Sequence, residues 1–347
     1  MFNTIENKLL KLSLEAFNKD FGHQMGMEIE VDESCQVNGD LKTDALLKIK
    51  IQSMELIFCA EIKYVVNKSV IGFMLHQQSD FPYDQLLVTN YVNPVMADKL
   101  RINGINFIDA AGNAYINTPP VFIFVKGNKA KNKQRVSFQG KAFTLSGLKM
   151  VYALLCNEEL LNRSYREIAK TSGIALGTVG LVIGNLKKLD FVLDMGARGK
   201  KIVNKKTLFD RWCLNYVEKL RPKLLLGRFE GPEDFWKWDH LDSDFGQWGG
   251  EVAAFKLTNY LKPQNVIIYA KEKELKNIIL QNRLNRTENG NIEIFKSFWP
   301  DNKAEVDKSI VHPFIIYADL LGINKQRTIE TAKVIYEKNI AGYFRKS

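Results

Sequence analysis

Apolar residues recur at helical spacing near both ends of the chain and in its middle, with shorter strand-like runs between. Ile5, Leu9, Leu12, Ala16 and Phe17 predict an amphipathic opening helix that also carries Glu15. Strands are expected at 45–51 and 56–64, a helix at 69–78 and an apolar strand at 85–89. A helix at 94–102 and short strands at 106–110, 114–117 and 121–125 complete this region. Helices interleaved with strands predict an α/β sheet covered on both faces. Leu145, Leu148, Val151, Tyr152 and Leu155 then share one face of a further helix. The last third opens with a helix over 207–220, burying Phe209, Trp212, Cys213, Tyr216, Val217 and Leu220 and ending at Pro222. A helix from Gly249-Gly250-Glu251, a strand at 266–269 and two closing helices at 312–321 and 327–339 follow.

The run from Ser164 to Leu189 carries the strongest functional signal. Ser164 caps a short helix that buries Ile168 and Ala169, and Gly173 supplies a tight turn. A second helix then buries Val179, Val182, Ile183, Leu186 and Leu189. Two short helices about a glycine turn predict a helix-turn-helix, whose second helix lies in the DNA major groove. Phe191–Leu193 and a strand closed by Asn204 flank Asp-Met-Gly-Ala-Arg-Gly-Lys-Lys, a hairpin tip with Arg198, Lys200 and Lys201. This is the order of a winged helix. Thr178 and Asn185 are placed to read base edges, with Lys187, Lys188, Arg198, Lys200 and Lys201 on the phosphates. Gly177 and Gly180 are poor residues for a helix interior, explained either by close approach to DNA or by helix packing.

Charge sharpens this expectation. Between Lys126 and Lys206 there are seventeen Lys or Arg against five Asp or Glu, a net +12, which leaves the rest of the chain at −2. Cations concentrated in one segment suit a polyanion partner with salt-dependent binding. No apolar run approaches the roughly 20 residues that span a bilayer, and the N-terminus lacks a signal-peptide core. Cys35, Cys59, Cys156 and Cys213 are scattered, with no zinc spacing, so reduced thiols, a cytoplasmic setting and no membrane are expected.

In the first third, Asp44 opens one strand and Glu61-Ile-Lys63 closes the next. Alternation along a strand points Glu61 and Lys63 the same way, and hairpin pairing brings Asp44 near. Two such carboxylates are candidate Mg²⁺ ligands, with Lys63 orienting a water or stabilising phosphate charge. The pattern resembles the PD-(D/E)xK nuclease fold. That resemblance implies Asp44 and Glu61 as metal-binding acids, Lys63 as the catalytic lysine and Glu15 as a helix acid. Lys-Thr-Asp replaces the Pro-Asp that names the motif. Gly112-Asn113 is a hairpin turn signal beside Asp109, with a phosphate or metal contact as the sharper alternative.

The stretch from Glu230 to Gly250 interleaves acids with Trp236, Trp238 and Trp248. It is either an interface for a basic partner or a loop whose tryptophans fold inward. Gly249-Gly250, a helix and then a strand are reminiscent of a nucleotidyltransferase, where glycines approach phosphates. The following strand, Asn265-Val-Ile-Ile-Tyr, lacks that fold's metal-binding acids. Trp248-Gly-Gly-Glu-Val-Ala-Ala-Phe-Lys-Leu-Thr-Asn-Tyr-Leu and His312-Pro-Phe-Ile-Ile-Tyr-Ala-Asp-Leu-Leu together resemble AbiEi-type antitoxins of type IV toxin–antitoxin systems. The resemblance covers roughly Phe143 to the C-terminus. It implies a repressor of its own operon that opposes a nucleotidyltransferase-like toxin without a tight complex. In that family the winged helix commonly comes first, whereas here it is central.

The expected architecture is an α/β multidomain chain. Residues 1–128 form a restriction-endonuclease-like α/β domain, 140–206 a winged helix-turn-helix, and 207–347 an α+β domain resembling a degenerate nucleotidyltransferase. The expected function is DNA-binding regulation, with double-stranded DNA and a genetically linked toxin as partners and a homodimer as a further possibility. No cofactor is expected for DNA binding. The alternative is a Mg²⁺-dependent DNA nuclease targeted by the winged helix.

Overall fold

The computed structural model describes residues 4–22, 26–32, 43–64, 66, 68–78, 81–129, 140–232, 235–237, 241–299 and 309–345. The architecture is mixed α/β with several sheets. The chain divides into two compact units, Met1–Phe138 and Gln139–Ser347. The segments 140–206 and 207–347, expected as separate domains, therefore share one unit.

The first unit runs α1 (Thr4–Phe17), β1 (Met27–Asp32), β2 (Ala45–Ile51), β3 (Met54–Lys63), α2 (Lys68–Gln77), β4 (Asp84–Thr89), α3 (Pro94–Ile102), β5 (Asn106–Asp109), β6 (Ala114–Thr118) and β7 (Val121–Val125). All seven strands form one sheet in chain order. The first three are antiparallel, β3, β4 and β5 are parallel, and β5 to β7 are antiparallel again. Parallel neighbours need a crossover, which α2 and α3 supply. Alternation in β2 buries Ala45, Leu47, Ile49 and Ile51 in the core that also holds Leu9, Leu10 and Phe17 of α1. β1 was not expected, although Met-Glu-Ile-Glu-Val-Asp has the period of a half-exposed edge strand.

Asp109 closes the β5–β6 turn rather than facing a ligand. Its carboxylate accepts the N–H groups of Val92, Ala111 and Asn113 and the Asn113 side-chain amide, all at 2.8 Å. Burial nonetheless pushes its pKa up, against the lowering effect of these donors. Every lone pair that a metal would need is engaged by the turn.

The second unit runs α4 (Leu145–Cys156), α5 (Tyr165–Ser172), α6 (Leu176–Lys188), β8 (Val192–Asp194), β9 (Lys200–Ile202), α7 (Lys205–Asn215), β10 (Leu225–Glu230), β11 (Gly246–Gly249), α8 (Gly250–Thr258), β12 (Val266–Ala270), α9 (Leu275–Gln281), β13 (Asn285–Arg286), β14 (Ile292–Lys296), α10 (Pro313–Ile323) and α11 (Gln326–Ile335). β8 and β9 make a hairpin, and the other strands make a sheet ordered β11-β12-β14-β10-β13. Only β12 and β14 are parallel neighbours in it.

Helix α7 is the spine that joins both halves of this unit. Tyr152 of α4, Trp212 and Tyr216 stack in sequence, with centroids 5.4 and 4.9 Å apart. Trp212 Nε1 donates to the Leu148 carbonyl at 2.9 Å, so its polar edge is satisfied inside the core. Pro222 does not end the helix as expected. A π turn over Tyr216–Leu220 and a further helical turn over Arg221–Leu224 carry it on. The shifted hydrogen-bond register absorbs the donor that proline lacks.

Trp236 and Trp248 are both buried, Trp236 edge-on to Phe255 and Trp248 against Phe235. They fold inward and form no aromatic interface; Trp238 lies outside the described residues. Gly249 and Gly250 are likewise filled from within. A Cβ on Gly249 would sit 2.7 Å from the Tyr269 ring, and one on Gly250 2.6 Å from Ile267. These glycines let α8 start tight against β12, which leaves no cradle for a phosphate.

Candidate nucleic-acid interface

Ser164 Oγ accepts the Glu167 amide at 3.2 Å, and Glu167 Oε2 accepts the Ser164 amide at 3.1 Å. This reciprocal capping box starts α5 where the sequence places it. Gly173 ends the helix at φ +62, a left-handed conformation that glycine adopts without strain. The chain then turns by 98° into α6, within the ~90–120° range of helix-turn-helix pairs. Val179, Val182, Ile183 and Leu186 are buried on one side of α6, facing α4 and α5.

The hairpin is fixed to this pair at both ends. Asp194 accepts Lys187 Nζ of α6 and the Gly196 amide, which together hold its carboxylate below the usual range. Asn162, in the 3-10 turn before α5, clasps the backbone of Lys200: its amide donates to the Lys200 carbonyl at 2.8 Å and its carbonyl accepts the Lys200 N–H at 2.7 Å. Gly199 has φ +82, and a Cβ there would meet Asn162 Oδ1 at 2.7 Å. Asn162 is not legible from sequence, because a clasp across 38 residues leaves no local pattern.

The residues proposed to touch DNA are arranged unequally. Lys188, Arg198 and Lys201 are exposed, while Lys200 and Thr178 are half-buried. Lys187 is the one that holds Asp194. Asn185 is turned inward, contrary to its expected place in the groove. Its Oδ1 accepts the Ala142 N–H at 2.9 Å, against Gly140, where any side chain would collide with it. Asn204 is not a strand end but the left-handed residue before α7, its side chain donating to the Asp190 carbonyl at 3.2 Å.

Beyond the hairpin, two acids of the C-terminal motifs are buried with cations. Glu251 accepts Arg327 through both oxygens at 2.6 Å and also the Gln264 amide at 2.7 Å. Asp319 accepts Arg221 Nε at 2.8 Å and the Tyr269 hydroxyl at 2.8 and 3.0 Å. The motif acids thus tie α8 to α11 and β12 to α10. Residues 201–341 match the family model described as "Transcriptional regulator, AbiEi antitoxin, Type IV TA system". No curated protein and no solved structure matches the chain.

The AbiEi match starts in β9, so it covers the second hairpin strand and the C-terminal part but not α4 to α6, which the sequence resemblance had included. That family suggests a regulatory antitoxin role for the matched region. Within it, His312 caps α10, its Nδ1 accepting the Phe314 amide at 3.2 Å. Burial holds its pKa down to about 4. The folded histidine stays neutral in a range where the unfolded one, near 6.5, takes up its proton. Stability should therefore fall on acidification from 6.5 towards 4, by roughly 2 kcal/mol at pH 5. Urea midpoints at pH 7.5 and 5 check this. His312→Gln should remove that part of the slope, and an unchanged slope would refute the assignment.

In the first unit, Asp44, Glu61 and Lys63 do meet. Lys63 Nζ lies 2.7 Å from Glu61 Oε2 and 3.3 Å from Asp44 Oδ2, and Asp44 Oδ2 also accepts the Ile62 amide at 2.8 Å. Antiparallel pairing of β2 with β3 creates this convergence. Glu15 is exposed on α1 and faces Lys11 at 4.0 Å, not this cluster. Among the described residues, no group of three or more His, Cys, Asp or Glu is placed to share a metal ion. No single helix among them is long and apolar enough to cross a membrane.

Proposed function

We propose that this chain is a DNA-binding transcriptional regulator, an antitoxin-like repressor of a type IV toxin–antitoxin operon. The observation that carries the reading is the capped helix pair at 98° with a cationic hairpin anchored to its second helix. α6 enters the major groove, and the wing lays Arg198 and Lys201 along phosphates. The AbiEi match over residues 201–341 supports the regulatory role, and the family implies DNA binding and a cognate toxin. That toxin is expected to be nucleotidyltransferase-like and genetically linked. A homodimer on a two-fold operator is the natural stoichiometry. Mobility-shift titration of the full chain on duplex DNA at low ionic strength tests the proposal, which fails if no duplex is retained.

A second reading, a Mg²⁺-dependent nuclease, is favoured by the Asp44–Lys63–Glu61 cluster. A helix, three antiparallel strands, a helix and a parallel strand, with acids opening the second strand and closing the third, suit a PD-(D/E)xK reading. Two carboxylates around one ammonium are an oxygen donor set suited to Mg²⁺, which Asp44 and Glu61 would hold. The ion would supply an activated water and charge neutralisation, while Lys63 positions its neighbours. Incubation with duplex DNA and Mg²⁺ or Mn²⁺ should then give cleavage that Asp44→Ala or Lys63→Ala abolishes. Intact DNA after prolonged incubation of the wild-type chain rejects this reading.

A further inference from the structure

From Leu176 to Leu181 the exposed face of α6 is largely hydrocarbon, and Lys188 follows near its end. Leu176 and Leu181 are 48% and 55% exposed, and Tyr165 at the start of α5 is 44% exposed. The side chain expected to make the most specific hydrogen bonds there, Asn185, is half-buried with its Oδ1 accepting the Ala142 N–H. Thr178 is half-buried as well. The same helix and the hairpin tied to it through Lys187 and Asp194 carry the exposed cations Lys188, Arg198 and Lys201. An apolar protein surface would complement the strip but not its charged frame. A duplex complements both, with phosphates at the groove walls and thymine methyl groups on its floor.

Gly177 adds an independent cue. It is exposed in the first turn of α6, and a Cβ there would meet nothing within 4 Å. A glycine weakens a helix, and among the described residues no packing requires this one. The missing side chain makes room for something outside. At Gly180 the nearest atom, on the Tyr165 ring, would make an ordinary contact at 3.4 Å, and at Gly184 nothing lies within 4 Å, so Gly177 is distinguished by its place in the first turn, next to Leu176.

Resting on the DNA-binding reading, we propose that α6 selects thymine-bearing sites by apolar contact. Leu176 and Leu181 pack on thymine C5-methyl groups, and Gly177 lets the helix backbone approach the groove floor. Hydrogen bonds to base edges are the minor part of recognition, and phosphates supply most of the affinity.

The test uses the full chain and a duplex selected from a randomised pool. Replacing thymines in the protected segment by uracil deletes only methyl groups. Wild type should bind the uracil duplex roughly tenfold more weakly, the loss expected from two buried methyls. Leu176→Ala/Leu181→Ala should bind both duplexes alike, with affinity for random-sequence DNA changed by less than about twofold. Gly177→Ala should raise the melting temperature by about 2 °C while weakening the selected site at least about tenfold. A structural glycine would give the first effect without the second. Equal affinity of wild type for thymine and uracil duplexes overturns the proposal and leaves DNA binding standing. Failure to retain any duplex at low salt overturns both.

Discussion

Replacing Lys188, Arg198 and Lys201 together by Ala should lower duplex affinity about 100-fold near physiological salt and reduce the log–log salt slope by about 3. The magnitude follows from counterion release, since each neutralised phosphate contributes about 0.9 to that slope. These three are chosen because the structure leaves them exposed on α6 and the hairpin, which the proposal places on DNA. Lys187 is excluded because its ammonium holds Asp194, and Lys200 because Asn162 fixes its backbone. The loss should be uniform across sequences, as phosphate contacts carry no base information. Titrations at several salt concentrations, on both selected and random duplexes, measure the slope directly. An unchanged slope in the triple variant would remove the hairpin from the interface.

Asp319→Ala should be the most damaging single change in the second unit, by about 3–5 kcal/mol. Asp319 is fully buried, and the Arg221 guanidinium beside it also lies over the Phe295 ring at 4.1 Å. Burial raises the Asp319 pKa against the opposing pull of Arg221 and Tyr269. Burial and the Asp319 charge together push both tyrosine hydroxyls, Tyr216 and Tyr269, well above their usual range. Removing the carboxylate strands a buried cation whose remaining carboxylate is Glu293, at 3.1 Å. The expected fall in melting temperature is about 10 °C for a unit of this size. Arg221→Met/Asp319→Leu should recover much of the loss, because a buried pair exchanges for apolar residues at little net cost. A single variant that melts like wild type would show that the pair does not organise the core.

Local rules explain where the sequence reading succeeded. The Ser164–Glu167 box, the Gly173 turn and the buried stripe of α6 each depend on residues a few positions apart, so spacing alone specifies them. The Asp44–Glu61–Lys63 cluster was legible because β2 and β3 are adjacent in sequence and pair as a hairpin. The stretches that carry the AbiEi resemblance lie within the matched residues 201–341, although that region starts later than the resemblance suggested. The misreadings share a different cause. Asn185 looked like a base reader because helical spacing exposes it, until the segment before α4 packs its Ala142 amide against it. Gly249-Gly250 looked like a phosphate loop because only Tyr269 and Ile267, arriving on β12, occupy the space in front of them. Pro222 looked like a stop because a π turn cannot be anticipated from composition.

Sequence by itself determined most of the longer helices, the Ser164 cap, the position of the hairpin and the concentration of charge, since these depend on near neighbours and on composition. The short helix Leu275–Gln281 was not among them. Tertiary structure decided which of the exposed-looking polar groups are free to act. Arg221 and Asp319 are 98 residues apart, and Asn162 is 38 from the strand it clasps. The Arg221–Asp319 pair forms because burial makes an unpartnered polar group costly, so folding seeks a partner wherever the packed chain brings one. The exposed Asn162 clasp depends only on the chain bringing the Lys200 backbone within reach. What remains on α6 after those pairings is an apolar face in a cationic frame, and only the packed chain shows it.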